Sequence, residues 1–310
     1  MTSKILLTGG TGFLGVHLTE ALLAEGFSVT TFSRAKSSQS GSRSRRHIRG
    51  DIVDLNSVKQ AMRGVDGVIH LAAVGRESVA DADPYRCLLT NAVGTLNVLE
   101  AAKSAAKKPW IILASSATVR EAAGDGEPET VLTADSIYGI SKLAGELCAR
   151  WYSTQYAIQI VVLRCETIYG SWRDNVDKAV NKIIAKALAN DSIDIHQPGQ
   201  TVSLVHYADV IRTISAVIKK FPSLGCPCYE VIYLGCPQSI TLKELAVKIL
   251  EFCNSKSQVR TDDDVGDRTG GTRSPAELES AFRIVGFRPS VAVEDGLREL
   301  IEQRAGTPIS

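Results

Sequence analysis

The stretch that decides the fold is Thr8-Gly9-Gly10-Thr11-Gly12-Phe13-Leu14-Gly15. It follows a short apolar run at 5–7 that is typical of a buried strand, and apolar residues recur at helical spacing after it. At such a strand-to-helix turn, glycines let backbone amides approach a pyrophosphate, and the helix N-terminus supplies partial positive charge. The loop therefore predicts a dinucleotide site, with contacts from Gly9, Thr11, Gly12, Phe13 and Leu14.

The rest of the N-terminal half continues this alternation of short apolar runs with longer helical patterns. Predicted strands lie near 29–32, 47–50, 67–72, 110–114 and 158–164, and predicted helices lie near 55–62, 84–104 and 136–156. This rhythm is typical of βαβ units, so we expect an α/β fold with a Rossmann-type, doubly wound parallel sheet.

After residue 164 the pattern loosens. Strands are predicted near 201–205 and 230–234, and helices near 176–188, 208–219, 242–252, 275–285 and 293–303. We expect a dinucleotide-binding Rossmann domain over 1–166, with return elements near 201–235. The remainder, 167–310, is expected to form a smaller mixed α/β C-terminal lobe that binds substrate.

Composition excludes several classes of protein. The 310 residues carry 35 Lys+Arg against 34 Asp+Glu, and no apolar run approaches the length of a membrane helix. The N-terminus lacks the pattern of a signal peptide, so we expect a cytoplasmic protein with no membrane partner. The seven cysteines and five histidines do not cluster, which argues against a metal site. The basic residues are not accompanied by aromatic residues that could stack on bases, which argues against nucleic-acid binding.

A second motif, Tyr138-Gly139-Ile140-Ser141-Lys142, falls in the helix predicted over 136–156. A separation of four puts the Tyr138 phenol and the Lys142 ammonium on one helical face. A nearby cation lowers the pKa of a phenol, so we expect Tyr138 to exchange a proton with a substrate hydroxyl near neutral pH.

Together, the Thr-Gly-x-x-Gly-x-x-Gly loop and the Tyr-x-x-x-Lys motif resemble the short-chain dehydrogenase/reductase superfamily. The closest resemblance is to its extended branch, the NAD-dependent epimerases and dehydratases that include nucleotide-sugar enzymes. It implies that Tyr138 is the acid/base, that Lys142 assists it, and that both contact the cofactor. The run Ser116-Ala117-Thr118-Val119 favours Ser116 over Ser115 as the holder of the substrate oxygen. It also implies a homodimer through the helices near 84–104 and 136–156.

Further matches cover most of the chain. Asp51-Ile52 resembles the pair that holds the adenine, and Leu71-Ala72-Ala73, after a packed His70, resembles the motif that lies against the dinucleotide. Asn91 begins the long-helix motif that braces the active site. The resemblance continues through Leu163-Arg164, Tyr169-Gly170 and the pair His206 and Asp209.

The end of the second predicted strand bears on the cofactor. Members of the family that prefer NAD carry an acidic residue there, which binds the ribose 2′-hydroxyl. This chain has Ser33 and Arg34, followed by further basic residues at Lys36, Arg43, Arg45 and Arg46. Such groups can pair with a 2′-phosphate, so NADP is favoured over NAD; the alternative is a merely solvated basic loop.

Two positions, 117 and 118, bear on which reaction of the family this chain catalyses. The family's 4,6-dehydratases carry an Asp-Glu pair after the catalytic Ser or Thr, whereas Ala117 and Thr118 stand here. The resemblance therefore favours hydride transfer at a secondary alcohol or ketone carbon, by an epimerase or a 4-ketoreductase, over dehydration.

The substrate is a small molecule whose class stays open. Thr167, Arg173 and His206 are the candidate substrate residues. Val202 and Asp264 stand where nucleotide-sugar members often supply arginines, and an aspartate repels a diphosphate. Three hypotheses remain: an enzyme acting on a nucleotide-activated sugar, an NADPH-dependent ketoreductase acting on a natural-product-type molecule without a nucleotide, and a non-catalytic dinucleotide sensor.

Overall fold

The computed structural model describes residues 3–35, 44–123, 130–235, 239–261 and 275–306. The chain divides into two compact units. Unit 1 comprises Met1–Cys165 and Thr213–Tyr233, and unit 2 comprises Glu166–Arg212 and Leu234–Ser310.

The secondary-structure elements are numbered in chain order. The strands are β1 (Lys4–Thr8), β2 (Ser28–Ser33), β3 (Arg45–Arg49), β4 (Gly67–His70), β5 (Trp110–Ser116), β6 (Arg120–Ala123), β7 (Thr130–Thr133), β8 (Gln159–Cys165), β9 (Thr167–Tyr169), β10 (Ile193–Ile195), β11 (Thr201–Val202), β12 (Leu204–His206), β13 (Cys228–Leu234), β14 (Ile240–Thr241) and β15 (Val259–Thr261). The α-helices are α1 (Phe13–Ala24), α2 (Leu55–Ala61), α3 (Glu77–Ala82), α4 (Pro84–Leu88), α5 (Gly94–Lys103), α6 (Ile137–Tyr156), α7 (Ala179–Ala189), α8 (Tyr207–Lys220), α9 (Leu242–Cys253), α10 (Pro275–Val285) and α11 (Val293–Ala305).

Unit 1 is built on a seven-stranded sheet with the order β13-β8-β5-β4-β1-β2-β3. The neighbouring strands from β8 to β3 pair in parallel. The six strands predicted for the N-terminal half are all present, and the strand predicted near 230–234 joins the sheet beside β8. The predicted α/β class with a Rossmann-type, doubly wound sheet is confirmed.

The core explains why these apolar runs form central strands. Leu6, Val68, Ile111 and Val162, from four adjacent strands, belong to one buried cluster. Helices α2, α5 and α6 cover it with side chains such as Val98. Strands buried on both faces are continuous apolar runs instead of alternating ones, as observed here.

The parallel register brings chemistry-bearing residues to one edge of the sheet. Thr8 lies opposite His70 at the ends of β1 and β4, and β5 ends at Ser116. Open parallel sheets bind ligands outside the carboxyl ends of their strands. The candidate site is therefore expected at this edge.

The helix predicted over 84–104 is interrupted. It consists of α4, a π-helical turn at Leu89–Val93 and α5, and the buried Asn91 lies within the π turn. The sequence also missed α3 and the antiparallel pair of β6 with β7, because these elements are short and lack a clear period. Helix α6 exposes Ile140, Leu147 and Trp151. The homodimer stays a prediction.

Unit 2 contains short strand pairs and helices around its own core. Strands β9 and β12 pair in parallel, as do β10 and β15, whereas β11 and β14 are antiparallel. Helices α7, α9 and α11 contribute the buried Ile184, Leu245 and Leu297 to one cluster. The single strand predicted over 201–205 is divided into β11 and β12. Across the described ranges, no helix is long and apolar enough to cross a membrane.

Candidate active site

A cleft of about 370 Å³ opens at the carboxyl edge of the sheet in unit 1. Ten of the predicted cofactor residues line it: Gly9, Thr11, Gly12, Ser33, Arg34, Asp51, Ile52, Leu71, Ala72 and Ala73. Phe13, Leu14, Asn91, Tyr138 and Lys142 were also predicted to contact the cofactor but are not among the residues that line the cleft. The ring of Phe13 instead meets the ring of His17 edge-on, at 5.9 Å between centroids.

The glycine loop leaves room for a ligand. Gly9 has φ +71°, in the left-handed region that favours glycine. Its amide donates to the Phe32 carbonyl at 2.9 Å, and its carbonyl accepts from the Gly12 amide at 2.9 Å. Because Gly12, the N-cap of α1, has no side chain, the first amides of α1 stay open for an anion. This cradle fits the pyrophosphate of a dinucleotide.

The end of β2 forms one wall of the cleft. Ser33 and Arg34 line the cleft, and Arg34 is exposed. Arg49 Nε donates to the backbone carbonyl of Arg34 at 3.1 Å, which fixes the backbone at this point. Asp51 lies on the same wall, where its carboxylate accepts from the Val53 amide at 3.2 Å. Lys36 and Arg43 of the basic segment lie outside the described residues.

The structure brings Ser116, Tyr138 and Lys142 together. Ser116 ends β5, and α6 begins beside it because the Ser136 hydroxyl caps the helix by accepting from the Gly139 amide at 3.1 Å. Tyr138 shares a side-chain hydrogen bond with Ser116. The Lys142 ammonium donates to the Ala114 carbonyl at 3.0 Å and lies 5.8 Å from the centre of the Tyr138 ring.

The electrostatics of this pair differ from the expectation that Lys142 lowers the pKa of Tyr138. Burial raises the pKa of Tyr138 to about 12, and the hydrogen bond from Ser116 only partly opposes it. Burial also lowers the pKa of Lys142 to about 8. In this state Tyr138 is therefore a proton donor at neutral pH, and Lys142 is close to its own titration.

Ser115 and Ser116 point to different partners, which separates the two candidates. The Ser115 hydroxyl donates to the buried carboxylate of Glu146 in a short hydrogen bond. Ser116 Oγ instead accepts from the Thr118 amide at 3.2 Å and faces Tyr138. This arrangement supports Ser116 as the hydroxyl that faces substrate, although its role stays a prediction.

Asn91 joins two parts of the site. Its amide side chain accepts from the Val74 amide at 2.7 Å and donates to the Val74 carbonyl at 3.0 Å. It also donates to Ser141 Oγ at 2.9 Å, between Tyr138 and Lys142 on α6. Asn91 therefore braces the loop after β4 against the helix that carries the proposed acid/base.

His70 is the centre of a buried chain of hydrogen bonds. The Thr95 hydroxyl donates to the Asn91 carbonyl at 2.6 Å, so it must accept from His70 Nε2 at 3.1 Å. His70 Nδ1 then accepts from the Thr8 hydroxyl at 2.7 Å. Burial, with the charge of Lys142, lowers the pKa of His70 to about 3, so the ring is a neutral brace.

The sequence missed Glu146, which lies four residues after Lys142 on α6. Its carboxylate is completely buried and binds the guanidinium of Arg164. The available signal was its spacing from Tyr138 and Lys142, because a residue at that interval shares their helical face.

The candidate substrate residues lie in unit 2. Thr167 and His206 are on the neighbouring strands β9 and β12, but Thr167 is exposed and His206 is buried against Tyr169. Arg173 is exposed, with its guanidinium 4.8 Å from the Trp172 ring. These contacts do not gather the three residues into one cluster. Within the described ranges, no group of three or more His, Cys, Asp and Glu side chains forms a metal site.

A Rossmann-type sheet, an open glycine cradle and a Ser-Tyr-Lys group at one sheet edge are the features that the sequence shares with the extended short-chain dehydrogenases/reductases. Comparison with protein families gives the specific assignment. The model of the NAD dependent epimerase/dehydratase family matches residues 5–227, and the chain belongs to this family.

Relatives within the family have several activities. A dTDP-glucose 4,6-dehydratase of Streptomyces niveus is 28% identical, with 96% of this chain and 92% of the relative covered. An uncharacterized UDP-glucose epimerase of Bacillus subtilis is 26% identical, with 95% of each chain covered. Among solved structures, MoeE5 in complex with UDP-glucose and NAD superimposes with a TM-score of 0.84 at 23% identity, covering 98% of this chain and 99% of that one. The relatives thus do not share one reaction: one is named as a dehydratase and another as an epimerase.

Proposed function

We propose that this protein transfers a hydride to or from a secondary alcohol or ketone carbon of a nucleotide-activated sugar, as an epimerase or a 4-ketoreductase. The observation that carries the proposal is the group formed by Ser116, Tyr138 and Lys142 at the same sheet edge as the glycine cradle. When bound, the nicotinamide of NAD or NADP supplies the hydride acceptor or donor.

Each residue of the group has a separate task. Tyr138, protonated at neutral pH because burial raises its pKa, donates a proton to a developing alkoxide and takes it back in the reverse direction. Ser116, already hydrogen-bonded to Tyr138, orients the same oxygen. Lys142 supplies positive charge beside the phenol and favours its ionised form when the proton leaves.

The residues after Ser116 support an epimerase or reductase over a 4,6-dehydratase. Elimination of water needs an acid and a base beside the substrate. Ala117 is buried and has no ionisable group, and Thr118 is not an acid under ordinary conditions. Although one relative at 28% identity is named as a 4,6-dehydratase, this chain has no carboxylate at positions 117 and 118.

The cofactor is proposed to be NADP in preference to NAD. Ser33 and Arg34 line the cleft at the end of β2, where a carboxylate would repel a 2′-phosphate. A guanidinium there can form charge-assisted hydrogen bonds with it.

The nucleotide-sugar class is supported by relatives that span nearly the whole chain and are named for UDP- or dTDP-sugars. One observation favours the second candidate, an NADPH-dependent ketoreductase acting on a substrate without a nucleotide. Val202 packs against the apolar core of unit 2, at a position where a nucleotide-sugar enzyme often places an arginine for the diphosphate. Asp264, the other such position, lies outside the described residues.

The test supplies UDP-glucose, UDP-glucuronic acid and dTDP-glucose, each with NADH, NADPH or the oxidised forms. Interconversion of 4-epimers without net change in reduced nicotinamide identifies an epimerase, whereas net consumption of NADPH identifies a reductase. Tyr138→Phe should lower kcat by about 10²- to 10⁴-fold with dinucleotide affinity retained.

The matched control is Tyr85→Phe, which removes the hydroxyl of a tyrosine that is 76% exposed on α4. It should keep full turnover. A 4-keto-6-deoxy product, or wild-type turnover in Tyr138→Phe, would refute the proposal. Turnover of simple ketones with NADPH, and of no nucleotide sugar, would select the second candidate.

A further inference from the structure

A completely buried ion pair lies directly behind the proposed site. Glu146 is 0% exposed and Arg164 is 2% exposed. Arg164 donates from Nη2 to Glu146 Oε2 at 2.8 Å and from Nε to both carboxylate oxygens at 3.2 Å. Its remaining nitrogen, Nη1, binds Glu121 of β6 at 3.1 Å. The ion pair is thus bidentate, with two nitrogens of Arg164 donating to both carboxylate oxygens of Glu146.

The pair connects the elements that carry the proposed catalytic group. Glu146 belongs to α6, one turn after Lys142 and two turns after Tyr138. Arg164 belongs to β8, and Ser115, which also donates to Glu146, is its register neighbour on β5 and precedes Ser116. One carboxylate therefore joins α6 to both strands within one residue of Ser116.

We propose that Glu146 is a positioning residue for the reaction: through Arg164 and Ser115 it fixes α6 against β5 and β8, and it places a negative charge one turn from Lys142. This inference rests on the proposed function, because it concerns the same Tyr138 and Lys142.

Stability alone does not account for such a pair. Buried ions lose their hydration, and an apolar pair of similar volume is often as stable or more stable. Unlike apolar packing, the hydrogen bonds of the Glu146 carboxylate are directional: its oxygens accept from Ser115 of β5 and Arg164 of β8, which fixes the position of α6 relative to both strands. It also offers charge in a place where charge is weakly screened.

The charge acts on Lys142 in a defined direction. The titratable groups that face Lys142 are Cys87 of α4, Cys165 of β8, His70 of β4, and Tyr138 and Glu146 of α6. Burial lowers the pKa of Lys142, and Cys165, Cys87 and the Glu146 carboxylate oppose that fall. Glu146 therefore keeps a larger fraction of Lys142 protonated at neutral pH.

The test is an NMR titration of the full chain with ¹³C-labelled lysine. The Lys142 resonance is the one that disappears in Lys142→Arg. Glu146→Gln keeps the shape and a hydrogen-bonding side chain but removes the charge, so the titration midpoint of Lys142 should move to lower pH. With a substrate found by the turnover test, kcat should fall about tenfold or more while KM changes little.

Glu121→Gln is the matched control, because it removes the other carboxylate on Arg164 from a partly exposed side chain outside α6. It should leave the Lys142 midpoint in place. If Glu146→Gln does not fold, the double variant Glu146→Leu with Arg164→Met removes the pair without leaving a lone charge. That variant should lower the midpoint less than Glu146→Gln does, because the repelling charge of Arg164 is removed as well, and it should not regain wild-type kcat.

An unchanged Lys142 midpoint in the folded Glu146→Gln protein, or in the double variant, overturns the inference. So does an equal shift in Glu121→Gln. These outcomes are separate from the fate of the proposed function, which fails if Tyr138→Phe keeps wild-type turnover. A shifted midpoint in that case leaves Glu146 as a neighbour of Lys142 in some other reaction.

Discussion

Each unit contains a helical glycine in close contact with its surroundings, and the two contacts are of different kinds. A Cβ added to Gly15 of α1 would collide with the Gly9 carbonyl and lie 2.7 Å from Gly10 Cα, both of them backbone. A Cβ added to Gly296 of α11 would collide with the Tyr169 hydroxyl and lie 3.0 Å from His206 Cδ2, both of them side chains. In sequence, Gly15 closes the glycine motif, whereas Gly296 belongs to no such motif.

The difference separates a ligand cradle from ordinary core packing. In unit 1, the glycine lets the Gly9–Gly10 backbone lie directly against α1, and backbone cannot move aside cheaply. In unit 2, the glycine accommodates two aromatic side chains, which can change rotamer. The same residue type thus permits close backbone contact in unit 1 and close side-chain packing in unit 2.

The largest effect is expected from breaking the cradle. Gly15→Ala forces the Gly9–Gly10 backbone away from α1, and such overpacking costs about 1–3 kcal/mol. If that cost falls on the bound state, NADPH and NADH both bind about 10- to 100-fold more weakly. Isothermal titration calorimetry measures it.

Gly296→Ala provides the comparison in unit 2. It should lower the melting temperature while dinucleotide affinity stays within about twofold of wild type, because the strain falls on Tyr169 and His206. Equal loss of dinucleotide affinity in both variants would erase the distinction between cradle and packing.

A second comparison uses one buried histidine from each unit. Burial lowers the pKa of His70 from 6.5 to about 3, so the unfolded chain binds a proton in this interval that the folded chain does not. Stability therefore falls as pH decreases from 6.5, by about 2 kcal/mol at about pH 5. The pKa of His206 is also lowered by burial, but Glu299 and Asp209 oppose the shift, so its contribution should be smaller.

Urea unfolding between about pH 5 and 7 tests this order. The loss of unfolding free energy on acidification should shrink in His70→Asn and shrink less in His206→Asn. A profile in His70→Asn that parallels the wild type would show that His70 does not account for the acid sensitivity.

The smallest effect concerns the choice between the two dinucleotides in unit 1. Arg34→Ala should weaken NADPH binding about tenfold and leave NADH binding nearly unchanged, because one charge-assisted hydrogen bond at an exposed site contributes about 1–2 kcal/mol. Arg63→Ala, an exposed arginine that does not line the cleft, should change neither affinity. Equal losses for NADPH and NADH would remove Arg34 from the recognition of a 2′-phosphate.

The features that could be predicted from sequence are local. The glycine loop follows a strand and opens a helix, and Tyr138 and Lys142 share a helical face, so short-range spacing was sufficient. The pKa of Tyr138 was predicted in the wrong direction, because burial depends on residues far away in sequence. Glu146 was missed since a glutamate within a helix ordinarily faces water, and only Arg164 on another element makes its burial tolerable.

The candidate substrate residues of unit 2 show the same limit. Thr167 and His206 were chosen by position in a motif, and the structure places them on adjacent strands with opposite exposure. The π turn at Leu89–Val93 was not predicted, and within it Asn91 contacts Val74 and Ser141, which are distant in sequence.

The strand β13 has a consequence for biosynthesis. This strand pairs beside β8, although all of the first segment of unit 2, Glu166–Arg212, is synthesised after β8 and before β13. When only Met1–Cys165 has left the ribosome, β8 is an edge strand of the sheet. The backbone of its apolar residues, such as Ile160 and Val162, can then pair with other chains. The sheet can be completed only after Leu234 has emerged, so truncation before β13 leaves β8 as an unprotected edge strand.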